Sequence, residues 1–104
     1  MATIALPFTV ENARAIIAAG ASSTGPYSHL EIAEWCERFW NKYADVDAPV
    51  EIERIMPVLA TVESEWDMYL ANELSKHPAT PPSKVRAPEE WFLEWGKEIE
   101  RSGR

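Results

Sequence analysis

The sequence predicts an all-α fold: a compact bundle of four or five helices with a short extended N-terminal arm and a proline-rich crossover before the last helix. Three observations carry this prediction. Apolar residues recur at the three- and four-residue spacing of amphipathic helices over most of the chain, these stretches open on capping signals, and no run alternates apolar and polar residues long enough to build a sheet. At 104 residues, 46% of them hydrophobic, the chain reads as one domain able to bury a core without disulfides or metals.

The elements follow in order. Ile4, Leu6 and Phe8 surround Pro7, which argues against a central strand, so this segment reads as an extended arm laid on the core. Thr9 is placed to cap a helix over 10–20, in which Val10, Ala13, Ile16 and Ile17 share a face and Gly20 supplies the C-terminal stop. Ser28 and Glu31 then form an S-x-x-E capping box, with Tyr27 and Ile32 at the positions of a hydrophobic staple, and start a second helix over 29–44. At ~100° per residue, Ile32, Ala33, Trp35, Cys36, Phe39, Trp40 and Tyr43 fall within an arc of roughly 160°, opposite Glu31, Glu34, Glu37, Arg38, Asn41 and Lys42.

Asp47 as a capping acid, followed by Pro49 in the first turn, starts a third helix over 48–76. Ile52, Ile55, Met56, Leu59, Val62, Trp66, Tyr69, Leu70 and Leu74 hold one helical phase across Pro57. Proline removes a backbone donor and crowds the carbonyl four residues back, here that of Glu53, so a break or kink is expected beside it. Pro78, Pro81, Pro82 and Pro88 favour an extended, polyproline-like spacer between Lys76 and the last helix. That helix, over 88–102, has Glu89 and Glu90 in its first turn, where anions suit the dipole, and Trp91, Phe92, Trp95 and Ile99 on its buried stripe.

Charge is unevenly spread. The net charge is −7; residues 1–75 hold 12 acidic and 4 basic side chains, whereas residues 76–104 hold 5 and 6. Phosphate backbones are repelled by such a chain, so direct nucleic-acid binding is not expected, and an electrostatic partner would be a basic protein surface. Cys36 stands alone, which excludes an internal disulfide and a Cys-x-x-Cys site and fits a reducing cytoplasm. No apolar run approaches the roughly 18 residues of a membrane span, and the N-terminus lacks the basic region of a signal peptide.

Candidate chemistry is sparse. His29 and Cys36 lie on one side of the second helix, but seven residues of helix separate them by about 10 Å, too far for a catalytic pair. They read as a packed first-turn histidine and a small core hydrophobe. Neither histidine follows an acid at the Glu-x-x-His spacing of helical metal sites, so no cofactor or metal is expected. The acidic exposed face of the second helix opposes a helix-turn-helix reading, and the P-x-x-P at 78–81 reads as spacer.

Glu63 stands out, because phase sets it inside the apolar arc, among Met56, Leu59, Trp66 and Leu70. A carboxylate there must be paired, protonated or exposed through a gap in the packing; a Trp or Tyr donor or Arg14 is the expected partner. Trp91 and Trp95 cover a strip of the last helix that could face another subunit. Leu93, Met68 and Leu30 point away from their apolar arcs, which suggests a weak homodimer through that helix.

The function expected from these residues is a small acidic protein-interaction or regulatory module, not an enzyme, meeting a basic partner through surfaces such as Glu34 and Glu37. The competing expectation is a ligand-binding or enzymatic domain with a tryptophan-lined pocket around Glu63 and Trp66.

Overall fold

The computed structural model describes residues 4–102, which form four α-helices and one short 3-10 turn. These are α1 (Val10–Gly20), α2 (His29–Tyr43), α3 (Val50–Lys76), the turn Pro82–Lys84, and α4 (Glu89–Ser102). The all-α bundle is therefore the fold, with four helices. α2 packs chiefly on α3 and α1 on α4, and α3 and α4 close the bundle. At ~1.5 Å per residue, α3 is roughly 40 Å long and sets the 42 Å long axis of the molecule.

The arm and the first two helix starts form as their local sequence dictates. Ile4 is buried; its carbonyl accepts from Arg38 Nη2 at 3.1 Å, and the carbonyl of Leu6 accepts from the indole of Trp35 at 3.1 Å. Phe8 completes the dock against Trp35 and Phe39, ring centroids 5.5 and 5.1 Å away. Thr9 Oγ1 accepts from the amide of Asn12, capping α1. Both halves of the capping box at α2 are made: the Glu31 amide donates to Ser28 Oγ at 3.0 Å, and the Ser28 amide to Glu31 Oε1 at 2.9 Å.

Four expectations need correction. α3 begins at Val50 with Pro49 as its N-cap and no side-chain cap, so Asp47 does not cap it. Of the break or kink expected at Pro57, the break is absent: α3 is one helix through it. Ile52 and Ile55 before the proline, and Val58, Leu59, Val62 and Trp66 after it, are all buried on one side, and that shared burial outweighs the single lost hydrogen bond. Trp40 is not a core residue: it is 38% exposed near the C-terminal end of α2. The crossover is not a plain spacer, because it contains the 3-10 turn and buries Val85 and Ala87.

Gly20 has a role other than a left-handed stop, since no described glycine has positive φ. A Cβ on Gly20 would collide with the ring of Phe92, so glycine is there to let α4 approach the end of α1. His29 sits at the same junction, fully buried. Its Nε2 lies 2.8 Å from the Gly20 carbonyl and its Nδ1 accepts from the amide of Ala87 at 2.9 Å. Phe92 packs on the imidazole with ring centroids 4.0 Å apart. Arg86 Nη2 reaches the same Gly20 carbonyl at 3.5 Å and the carbonyl of Ser22 in the following loop at 3.1 Å, so the last carbonyl of α1 is capped by side chains from α2 and the crossover.

Gly20→Ala is expected to destabilise the fold by about 1–3 kcal/mol, the usual range for an overpacked core. A lowered urea midpoint at constant slope would register it; an unchanged midpoint would mean that α4 does not approach α1 at this point.

Candidate functional site

The acidic side chains of α2 and α3 converge along one seam. Glu34 and Glu37 are exposed one turn apart on α2, and Glu63 is half-buried on α3 with Asp67 one turn further on. Burial is the first cause that pushes the Glu63 carboxyl above its usual range; repulsion by Asp67, a hydrogen bond with Asp67, and repulsion by Glu37 across the helix pair push it further. All of these causes act in one direction, and none is a cation. The expected partners are therefore replaced by other carboxylates: Arg14 lies in a groove between α1 and α4, and the hydrogen bond of Glu63 is to Asp67.

Glu37 and Trp40 are neighbours at i and i+3, so the seam leads directly to the exposed indole. Trp40, Tyr43, Val46, Glu53, Met56 and Pro57 line a shallow notch of about 450 Å³. Pro57 lacks an N–H, which deprives the Glu53 carbonyl of its usual helical donor at the edge of this notch. Trp40 was missed as a surface residue because it falls near the rim of the apolar arc of α2. Asp67 had a local signal that could have found it, an acid four residues after Glu63.

The remaining predicted site residues lie elsewhere. Trp66 and Trp95 are core side chains, 2% and 3% exposed, so they offer no surface to a ligand or a second subunit. Trp91 is half-buried and packs edge-on against Tyr69 and Trp95, centroids 5.3 and 6.0 Å away, so the tryptophan strip of α4 is used within the chain. Leu93 and Met68 are 55% and 69% exposed, whereas Leu30 is half-buried against the core. The two larger hollows are the α1/α4 groove, of about 790 Å³ and bordered by Leu93, and the Trp40 notch; a third, of about 140 Å³, lies between Glu73, His77 and Arg86. None of the three is lined by Glu63 or Trp66.

Cys36 and His29 are committed to the interior. Cys36 is fully buried and burial pushes its thiol up to about 12. Both ring nitrogens of His29 are engaged by backbone groups. Among the described residues no three His, Cys, Asp or Glu side chains are arranged to hold a metal ion, and no helix is long and apolar enough to cross a membrane.

The raised pKa of Glu63 fixes the sign of its effect on stability. Folding favours the protonated carboxyl, so its contribution is fully present below the ordinary value of 4.5 and is lost as pH rises through the folded value. Glu63→Gln keeps a donor toward Asp67 without the charge. It should raise the melting temperature near neutral pH and leave it unchanged well below 4.5. A variant that melts lower at neutral pH would show that a cation holds the native carboxylate.

No protein-family model, no curated protein and no solved structure matches the chain, and what the seam does is read from its own geometry.

Proposed function

We propose that this chain is a protein-interaction or regulatory module that meets a basic partner surface along the α2/α3 seam, with Trp40 as the apolar anchor at its end. The observation that carries this reading is the set of carboxylates around Glu63. Glu37, Glu63 and Asp67 come close enough to raise the proton affinity of Glu63, and no cation offsets them. Within the chain that arrangement is unfavourable. A lysine or arginine from a partner would relieve it, lower the proton affinity of Glu63 and gain charge-assisted hydrogen bonds.

An exposed indole next to the seam supplies what charge alone lacks. Long-range attraction selects and accelerates encounters, while aromatic side chains in partly desolvated notches hold the complex once formed. Trp40 beside Tyr43 and Glu53 offers a basic side chain a ring face and a carboxylate together. Self-association is a separate property and uses a different face.

The test is affinity capture from the native host with the wild-type chain and with Glu34→Lys/Glu37→Lys, followed by kinetics on the recovered partner. A basic partner is expected whose association rate falls about tenfold or more on charge reversal and falls again with added salt, with a smaller change in dissociation. Its affinity should tighten as pH rises through the raised pKa of Glu63. Binding that ignores both charge reversal and salt would overturn the reading.

A further inference from the structure

A hollow of about 790 Å³ lies between α1 and α4, away from the acidic seam. Its floor is made by Ala18 and Gly96, its apolar edge by Leu93, and its walls by Arg14, Lys97 and Glu100. Gly96 is the informative residue. It stands in the interior of a 14-residue helix, where glycine is less stable than alanine, yet a Cβ there would meet nothing within 4 Å. Gly20 is held by the approach of Phe92, whereas nothing within the chain accounts for Gly96. A bare stretch of helix backbone beside an exposed leucine admits a second helix at close range.

The charges of the groove say which helix. Lys97 pairs with Glu94 at 3.4 Å, an exposed contact within one turn, and Arg101 Nε donates to the carbonyl of Lys97 at 3.4 Å. Arg14 has no carboxylate partner among the described residues, and its Nε is buried without an acceptor. Glu100 likewise has no cation within ion-pair distance among the described residues. Arg14 and Arg101 as cations and Glu100 as a carboxylate, none of them in an ion pair among the described residues, make the groove self-complementary, because a two-fold axis sets residue i against j and j against i.

Net charge points the same way. Two chains of charge −7 repel, and most of that charge is in residues 1–75; α4 itself carries 5 acids against 2 bases, but the groove is lined by Arg14, Lys97 and Arg101 together with Glu94 and Glu100. The α1/α4 groove therefore offers a second copy both signs of charge in near balance.

We infer that the α1/α4 groove is an isologous homodimer interface, in which α4 of one copy crosses α4 of the other over Gly96, with Leu93 packed across the crossing and Arg14 of each copy paired to Glu100 of the other. The dimer is independent of the acidic seam, which it leaves open on both copies.

Sedimentation of the full chain from low to high micromolar concentration, with a charge swap, tests this. The wild type should dimerise. Arg14→Glu and Glu100→Arg singly oppose like charges across the axis, and each should weaken the dimer about tenfold or more. The double variant Arg14→Glu/Glu100→Arg should restore it, which a merely structural role for either residue would not do. Gly96→Ala should raise the melting temperature of the monomer while weakening the dimer, and because nothing crowds that position the variant folds. A wild type that stays monomeric throughout would overturn the proposal, as would a dimer untouched by both single reversals or single variants that the double does not rescue.

Discussion

The junction around His29 is the constraint on which the rest of the architecture depends. Its imidazole joins three parts of the chain at one point: the end of α1 through Gly20, the start of α2, and the crossover through the amide of Ala87, with Arg86 tying the crossover to Gly20 and Ser22 beside it. The Ala87 amide can only donate, so Nδ1 must be the unprotonated nitrogen, and Nε2 carries the hydrogen that Gly20 accepts. A neutral ring in this one tautomer satisfies the crossover amide of Ala87 and supplies the short bond to a helix-terminal carbonyl that Arg86 otherwise reaches only at 3.5 Å. Phe92 closes over the ring, and α4 reaches it only because Gly20 has no side chain. Loss of any of these contacts would leave α4, the most distant helix in sequence, without its docking point against α1 and α2.

Two features of the bundle lower its stability without an intramolecular reason, and each marks a face. Along the α2/α3 seam, Glu63 is held among Asp67 and Glu37. On the α1/α4 groove, Gly96 weakens a helix in which its Cβ would touch nothing. The interior, by contrast, is largely satisfied: Trp35, His29 and Arg38 all find backbone acceptors or donors, and of the buried side-chain nitrogens only Arg14 Nε and Trp66 Nε1 have no partner among the described residues. Local cost is therefore concentrated where the chain has surface to offer, as expected when specificity or function, not folding, selects a residue.

What could be read in the sequence was whatever rests on neighbours within about one helical turn. The capping box of Ser28 and Glu31 is local and formed as expected; so did the cap at Thr9 and the face of α1. Gly20 was assigned the wrong reason because its partner, Phe92, belongs to the last helix. His29 was placed correctly in the interior, but one of its two backbone partners lies 58 residues away, so its bonding was not legible. Glu63 was singled out by phase, whereas its surroundings depend on Glu37 from another helix as well as Asp67 from its own. Trp40 departs from its arc, because a ring near the rim faces out when the facing helix leaves it uncovered, whereas the strip on α4 is claimed by its own chain as its buried stripe implied.

Burial lowers the His29 pKa from the ordinary value of 6.5; the bond to the Gly20 carbonyl opposes it, and the charges of Arg86 and Glu89, which lower and raise it in turn, matter less. Protonation therefore favours the unfolded chain: the stability contributed by this residue is complete above 6.5 and is lost as pH falls through the folded value. The most direct test of the account is the nitrogen NMR spectrum of the His29 ring through an acid titration. It predicts a neutral ring with the hydrogen on Nε2, unchanged as pH drops past 6.5, charging only as the fold opens. A hydrogen on Nδ1 at neutral pH, or a ring that charges near 6.5 while the bundle stays folded, would contradict it.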